Sequence, residues 1–223
     1  MPPDSASEHF GPDEFAECAR VSRETLERLK LYASMLEDWN SRQNLVSAAS
    51  IPNMWGRHFW DSAQLLPFIP AGAKSLVDLG AGAGFPGLVL AELKREDRAF
   101  KIALYEATAK KCRFLQAVAD RLTLHVDIRQ HRIEDSPREV FDLVTARACA
   151  PLEKLLVYAH RFWGKHTIAV FLKGQNVEPE LTQSHKSWRM RAERHPSQTD
   201  ASGVILEIHE LRRVADERKP SNR

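Results

Sequence analysis

Cysteine is scarce in this chain of 223 residues. Its 3 cysteines, Cys18, Cys112 and Cys149, are odd in number and widely spaced, and none belongs to a C-x-x-C pair. A disulfide framework needs paired cysteines, and a zinc site needs closely spaced ligands. The sequence supports neither, so we expect no metal, and a reducing cytoplasm is the simplest setting.

Long apolar runs are also missing. No window approaches the uninterrupted stretch of about 20 apolar residues that a membrane-spanning helix needs. Residues 1–11 lack the basic and then apolar pattern of a signal peptide. We therefore expect a soluble, unexported protein without membrane partners, and its length predicts one main domain with an appendage.

Neither sign of charge dominates. The chain has 32 Lys and Arg against 30 Asp and Glu, a formal net charge of +2, so bulk electrostatics do not indicate a nucleic-acid binder. Basic residues are nevertheless concentrated towards the C-terminus, in residues 188–195 and at Arg212, Arg213, Arg218, Lys219 and Arg223. Arginines beside Trp188 are typical of contacts with phosphates and bases. A solvated edge strand followed by a disordered tail explains the same pattern equally well.

Glycine, by contrast, is concentrated in one short segment. Asp78-Leu79-Gly80-Ala81-Gly82-Ala83-Gly84-Phe85-Pro86-Gly87 follows an apolar run and precedes a helical pattern. A strand that ends in a glycine-rich turn and leads into a helix lets the backbone approach a ligand closely and presents free N–H groups to it. The sequence therefore predicts a site for a nucleotide-type cofactor.

A carboxylate follows the next predicted strand. Glu106 ends the apolar run 100–105, where it can accept hydrogen bonds from both hydroxyls of a ribose. Read from Gly82, the loop satisfies the dinucleotide pattern G-x-G-x-x-G; read from Asp78, it satisfies the acid-x-G-x-G-x-G pattern of S-adenosylmethionine-dependent methyltransferases. We favour S-adenosylmethionine, because Gly80 directly after the strand makes the turn and Asp78 can hold the methionine end of the cofactor, directly or through water.

The order of predicted elements indicates an α/β fold of the doubly wound, Rossmann-like class. Strands at 75–79, 100–105, 124–130, 141–146 and 167–172 alternate with helices at 87–95, 108–122, 151–162 and 177–186. This alternation is typical of a parallel sheet with helices on both faces. Strands at 187–194 and 204–214 predict a terminal antiparallel hairpin, which resembles a class I methyltransferase more than a dinucleotide-binding domain.

Helical periodicity predicts an all-helical N-terminal appendage. Apolar residues recur at helical spacing over 13–40, and a second helix is expected over 52–68. We expect residues 1–12 to be a disordered tail, 13–72 the helical appendage, 73–214 the S-adenosylmethionine-binding methyltransferase domain and 215–223 a basic disordered tail.

Residues 141–151, the fourth predicted strand and the turn after it, show no motif for acid–base chemistry. It lacks the Asp/Asn/Ser-Pro-Pro-aromatic motif that holds an exocyclic amine. Cys149 is the one candidate thiolate for pyrimidine C5 methylation, but without a flanking Pro-Cys we interpret it as a packing residue. A ring nitrogen such as guanine N7 carries an exposed lone pair and needs no base, so it fits such a site.

Taken in order, these motifs resemble the RsmG (GidB) family of methyltransferases, which methylate N7 of a guanine in bacterial 16S rRNA. The resemblance covers about residues 32–174. Besides the glycine loop it rests on NSRQNLV (40–46), RHFWDS (57–62), KKCRFL (110–115), RIE (132–134), FD (141–142), RA (147–148) and LKG (172–174). Ala81 stands where the family often has Ser or Thr, and Val46 where Thr is common; the C-terminal hairpin matches poorly.

The resemblance implies a set of site residues. Gly80 and Phe85 would contact the main chain and thioether of the cofactor, Glu106 the ribose, and Ile133 and Glu134 the adenine. Arg147 and Lys173 would position the substrate without a general base: Arg147 beside the methionine moiety or the rRNA, Lys173 at an RNA phosphate or the target base. The full expected cofactor-binding set is Asp78, Gly80, Gly82, Gly84, Phe85, Glu106, Ile133, Glu134 and Arg147. The implied partner is 16S rRNA in the small ribosomal subunit or an assembly intermediate.

Alternatives stay open on the sequence alone. The chain can also be a dinucleotide-dependent oxidoreductase, a methyltransferase acting on a different RNA, or a non-catalytic RNA-binding module. His58 and Asp61, spaced i and i+3, either line the substrate cleft or form a hydrogen-bonded pair on a helix surface. Trp55, Phe59 and Trp60 are interpreted as core of the appendage.

Overall fold

A seven-stranded sheet organises the part of the chain that this computed structural model describes, residues 10–217. Its strands are β1 (Ser75–Leu79), β2 (Lys101–Tyr105), β3 (Val126–Arg129), β4 (Leu143–Arg147), β5 (Ile168–Lys173), β6 (Trp188–Pro196) and β7 (Val204–Arg213). The spatial order is β3-β2-β1-β4-β5-β7-β6. Strands β1 to β5 are parallel, whereas β7 pairs antiparallel with both β5 and β6. Insertion of β7 between β5 and β6 departs from the 3-2-1-4-5-6 order of dinucleotide-binding domains.

The N-terminal region contains two separate helices where the sequence periodicity predicted one continuous stretch over 13–40. They are α1 (Pro12–Ala19) and α2 (Arg23–Asn40). The chain breaks between them because Arg20 takes a left-handed conformation with φ of 50°, and Ser22 caps α2 by accepting a hydrogen bond from the Thr25 N–H at 3.2 Å. Capping residues, rather than the apolar spacing, therefore determine where these helices end.

The prediction of one regular helix over 52–68 is wrong. This segment forms a π-helix (Trp55–Trp60), one turn of α3 (Asp61–Ala63) and a 3₁₀ turn (Leu66–Phe68). Pro67 lacks the N–H that would continue the helix. Turns of π-helix are rare and are concentrated at functional sites. This one presents His58 to Arg147 of β4, and Asp61 follows it at the start of α3.

The alternation of strands and helices predicted downstream is confirmed, as is the terminal antiparallel hairpin. Helices α4 (Gly87–Leu93), α5 (Ala109–Leu122) and α6 (Leu152–Ala159) join parallel strands, and α7 (Val177–Ser184) leads into β6. Short 3₁₀ turns are formed by Ala48–Ser50, Ile133–Asp135 and His160–Phe162. The predicted strands and helices in this region differ from the observed ones by only one or two residues at most ends.

Apolar side chains fill both faces of the sheet. One core joins α4 and α5 to the N-terminal helices through Phe15, Leu29, Leu36, Phe59, Leu88 and Phe114, and the other lies under α6 and includes Leu156, Phe162 and Trp188. Phe59 is fully buried, and Trp55 and Trp60 pack against the first core, which confirms their interpretation as core residues. The N-terminal helices thus share a core with the sheet, and the division at 72/73 into appendage and domain stays a prediction.

The predicted tails fall mostly outside the described residues. Phe10, within the predicted tail of residues 1–12, stacks on Trp60 with ring centroids 6.5 Å apart, and Pro12 begins α1. The predicted tail 215–223 overlaps α8 (Val214–Glu217); Arg218, Lys219 and Arg223 lie outside the described residues. Across residues 10–217, no helix combines the length and apolar character needed to cross a bilayer.

Candidate active site

The glycine loop turns sharply at the carboxyl end of β1. Gly80, Gly82 and Gly84 have φ angles of 69°, 60° and 96°, a region that favours glycine. A Cβ on Gly80 would lie 2.5 Å from Cys149 Sγ, so the turn has no room for a side chain. Gly80 and Gly82 are partly exposed. They form the kind of backbone cradle that was predicted for a cofactor.

Gly84 and Phe85 face the N-terminal helices instead. A Cβ on Gly84 would lie 2.4 Å from Tyr32 Oη, whose hydroxyl donates to the Ala83 carbonyl. The Phe85 ring is 2 % exposed and stacks on Tyr32 with centroids 5.3 Å apart. Their predicted direct contact with the cofactor does not fit this placement. Both residues instead hold the loop against α2.

Asp78 lies beneath the loop with no exposed surface. Its Oδ2 accepts a hydrogen bond from the Gly87 N–H at 3.0 Å, and its Oδ1 accepts one from Thr145 Oγ1 at 2.9 Å. Burial raises the pKa of Asp78 to about 6, and the two hydrogen bonds oppose that shift. Direct contact with the methionine end of a cofactor does not fit this burial; Asp78 fixes the start of α4 and the loop above it.

Glu106 caps the other side of the loop from the end of β2. Its Oε2 accepts from the Gly82 N–H at 3.0 Å and its Oε1 from the Thr108 N–H at 2.7 Å. A carboxylate has about four acceptor positions, so two remain for ribose hydroxyls. The predicted role of Glu106 therefore fits its position.

A cleft opens beside this carboxylate, and we call it the Glu106 cleft. Its cavity volume is about 350 Å³, within the range of sites that bind small ligands. Glu134 stands at its rim, hydrogen-bonded to the Tyr158 hydroxyl. The lining includes Gly80, Glu106, Ile133, Glu134, Ala148 and Cys149. The structure thus brings four of the predicted cofactor residues, Gly80, Glu106, Ile133 and Glu134, to one cavity.

A second cleft, the Arg147 cleft, adjoins the first. Its lining includes Arg57, Asp61, Arg147, Ala148, Lys173 and Thr199. Ala148 lines both clefts, and its φ of 48° is unusual for a residue with a side chain. Strained backbone of this kind is frequent at functional sites. Ala148 therefore lies at the border between the two clefts.

Arg147 is held in place by the π-helix. Its Nη1 donates to the Arg57 carbonyl at 2.9 Å and to His58 Nδ1 at 2.8 Å, and its guanidinium lies 5.1 Å from the Phe85 ring centroid. Burial and the charge of Arg147 lower the pKa of His58 to about 3, so the imidazole is neutral and can accept at Nδ1. His58 is therefore a partner of Arg147, not one of a helix-surface pair.

Other predicted cations are paired within the protein. Lys173 Nζ lies 2.6 Å from Glu180 Oε2. In the predicted basic cluster, Arg194 Nε lies 2.5 Å from Glu178 Oε1 and Arg191 pairs with Glu193. These ion pairs reduce the positive field that the sequence suggested, although Lys173 still lines the Arg147 cleft.

Thiolate chemistry is disfavoured at the meeting point of the clefts. Burial, together with the negative charges of Asp78 and Glu106, raises the pKa of Cys149 to about 11. The thiol is therefore protonated at neutral pH and is a poor nucleophile. This agrees with the interpretation of Cys149 as a packing residue beside Gly80.

Sequence reasoning missed two functional positions. Tyr32 has no signal beyond the apolar periodicity of α2, yet its hydroxyl contacts the loop. Nothing in the sequence marks the positive φ of Ala148. For Asp61 the sequence leaves open a position in a cleft or on a helix surface. The structure places it in the Arg147 cleft.

Solved structures share this fold. A ribosomal protein L11 methylase from Lactobacillus delbrueckii subsp. bulgaricus matches with a TM-score of 0.54 and 13% identity, over 67% of this chain and 76% of that chain. A SAM dependent methyltransferase from Aquifex aeolicus matches with a TM-score of 0.54 and 11% identity, over 72% and 93%. At such low identity these likenesses show a methyltransferase fold and nothing finer.

Sequence relatives are much closer. A protein of Paramagnetospirillum magneticum named Ribosomal RNA small subunit methyltransferase G is 46% identical over 204 residues, covering 92% of this chain and 98% of the relative. A protein of Rhodospirillum rubrum with the same name is 44% identical over 203 residues, covering 91% and 99%.

Residues 25–207 match the family model GidB, described as rRNA small subunit methyltransferase G. The prediction of an S-adenosylmethionine-dependent methyltransferase, rather than an oxidoreductase or a non-catalytic module, is confirmed by this match together with the fold. The chain belongs to the GidB family of rRNA small subunit methyltransferases.

Proposed function

We propose that this protein transfers the methyl group of S-adenosylmethionine to N7 of a guanine in 16S rRNA. The observation that carries the proposal is the junction of two clefts at Ala148. One cleft offers a glycine backbone and a carboxylate suited to a ribose. The other offers arginine and lysine side chains suited to RNA.

The cofactor would occupy the Glu106 cleft. Gly80 and Gly82 leave room for its main chain, Glu106 accepts from the ribose, and Ile133 and Glu134 flank the adenine. Its sulfonium supplies an activated methyl group. Asp78, Gly84 and Phe85 support this site from below, and Arg147 stands beside the methionine end.

The acceptor would enter through the Arg147 cleft, where Arg147 and Lys173 position it. They would hold the base so that its N7 lone pair could form a bond to the methyl carbon of the bound cofactor while the C–S bond breaks and sulfur keeps the bonding electrons. No proton is lost, and the purine becomes cationic. Neutral His58 and protonated Cys149 are consistent with a reaction that needs no base. Asp61, 3.6 Å from Arg147, offsets the positive charge near the cationic product.

The relatives' names support small-subunit rRNA as the substrate class. We propose that the rRNA is methylated in the cytoplasm within the small ribosomal subunit or an assembly intermediate. A methyltransferase acting on a different RNA is the alternative that the test must separate.

The test is incorporation of labelled methyl from S-adenosylmethionine into 30S subunits that lack the modification, followed by mapping of the nucleotide. Naked 16S rRNA and 70S ribosomes are assayed in parallel to define the assembly state. We expect label at N7 of one guanine, and none in subunits that already carry the methyl group. Label in another RNA, or at another atom, would contradict the proposal.

A further inference from the structure

Two carboxylates line the Arg147 cleft, and they differ in burial. The Asp200 side chain is 42% exposed and lies 3.5 Å from Arg57 Nη1. The Asp61 side chain is 17% exposed and belongs to the first residue of α3, directly after the π-helix. A carboxylate this far buried loses hydration, which its partners in the protein must replace, and such groups in a cleft are candidates for a functional role.

The two oxygens of Asp61 are used unequally. Oδ1 accepts from Gln64 Nε2 at 2.9 Å and from Thr199 Oγ1 at 2.7 Å. Oδ2 lies 3.6 Å from Arg147 Nη1, which is longer than a hydrogen bond. Within residues 10–217 Oδ2 therefore accepts no short hydrogen bond, although Arg147 supplies a compensating charge.

Guanine carries the groups that such an oxygen binds. Its Watson–Crick edge has two adjacent donors, N1–H and N2–H, whereas adenine presents an acceptor at N1 and a donor at N6. Both purines have a nucleophilic N7, so attack by N7 does not by itself select guanine. An ionised carboxylate can only accept hydrogen bonds, and it therefore discriminates at N1.

We propose that Asp61 Oδ2 accepts hydrogen bonds from N1–H and N2–H of the target guanine and so selects guanine over adenine. This inference rests on the proposed function. The N1 and N2 edge lies across the purine ring from N7. Asp61 begins α3 and Ala148 follows the end of β4, and both line the Arg147 cleft. A base whose N7 meets the methyl group at Ala148 can therefore turn its other edge to Asp61.

The experiment compares wild type with Asp61→Asn. Asparagine keeps the shape but offers an N–H donor, which suits adenine N1. Thr199→Val removes a hydrogen bond to Oδ1 while leaving Oδ2, and so controls for a purely structural role of Asp61. Asp200→Asn removes a second negative charge from the same cleft. Each protein is assayed on 30S subunits carrying the mapped guanine and on subunits with adenine at that position.

On 30S subunits with guanine at the mapped position, we expect Asp61→Asn to lower kcat/KM at least about 10-fold, which is the scale of a lost hydrogen bond to a charged group. The Kd for S-adenosylmethionine should change less than about twofold, since the lost hydrogen bond is to the base. The rate on adenine relative to guanine should rise at least about 10-fold, and both controls should keep the wild-type preference. A wild-type rate in Asp61→Asn, an adenine rate that stays below detection, or equal loss of preference in Thr199→Val would overturn the inference. If wild type itself places no methyl on guanine N7, the proposed function fails first.

Discussion

Replacing Gly84 by alanine should destabilise the protein by about 2–5 kcal/mol. The new Cβ would lie 2.4 Å from Tyr32 Oη and 2.5 Å from Leu88 Cδ1, both within the packed junction of α2, the loop and α4. Overpacking of a core costs about 1–3 kcal/mol. The φ of 96° adds about 1–2 kcal/mol for a residue with a side chain.

Gly82→Ala is the matched control. Gly82 also has a positive φ, of 60°, but its Cβ would meet only the Gly80 carbonyl oxygen, at 3.7 Å. It therefore carries the backbone cost without the overpacking. Both substitutions stiffen the unfolded chain alike. The difference between the two variants, about 1–3 kcal/mol, therefore reports the overpacking at Gly84 together with the larger backbone cost of alanine at a φ of 96° than at 60°.

Urea unfolding followed by circular dichroism measures the free energy of unfolding of both variants, and calorimetry measures their affinity for S-adenosylmethionine. We expect Gly84→Ala to lose more stability and Gly82→Ala to lose more cofactor affinity, because Gly82 adjoins Glu106. Equal free energies of unfolding, within the error of extrapolation, would refute the assignment of Gly84 to the junction with Tyr32.

Three further predictions concern the cofactor, acid stability and RNA. Glu106→Gln should raise the Kd for S-adenosylmethionine about 10-fold by calorimetry, because the amide cannot accept at both ends; an unchanged Kd would remove Glu106 from the site. His58 has a pKa of about 3 in the folded protein against an ordinary value of 6.5, so the unfolded chain takes up a proton first and stability is lost as pH falls below about 6.5. His58→Gln should therefore lose less stability than wild type between about pH 7 and 5, and parallel losses would contradict this. Lys173→Gln should weaken RNA binding and reduce the slope of log K against log salt concentration by about 1. Arg194→Gln, which breaks the pair between exposed Arg194 of β6 and Glu178, should change this slope less. If filter binding gives the reverse order, the hairpin rather than the Arg147 cleft contacts RNA.

Short motifs and apolar runs predicted much of the fold. The loop from Gly80 to Gly87 was placed correctly at the end of β1, because a tight turn after a strand admits little but glycine. Glu106 was placed correctly after β2, because the apolar run before it ends there. Apolar runs identified strands β1 to β5, since each strand of the parallel sheet needs its own apolar residues. In β6 only Trp188 is buried, and this strand was predicted as one arm of a hairpin. The helix breaks at Arg20 and within 52–68 were missed because apolar spacing continues across them.

Contacts between distant segments could not be predicted in this way. The sequence by itself determined the fold class, the glycine loop and the family, because each of these is recognised from short motifs and apolar runs whose residues are close together in the chain. Only the tertiary structure inserted β7 between β5 and β6, stacked Phe85 on Tyr32, and brought Asp61 beside Arg147. The physical reason is that these placements depend on how separate elements pack, and packing is decided by the whole core rather than by any one segment of it.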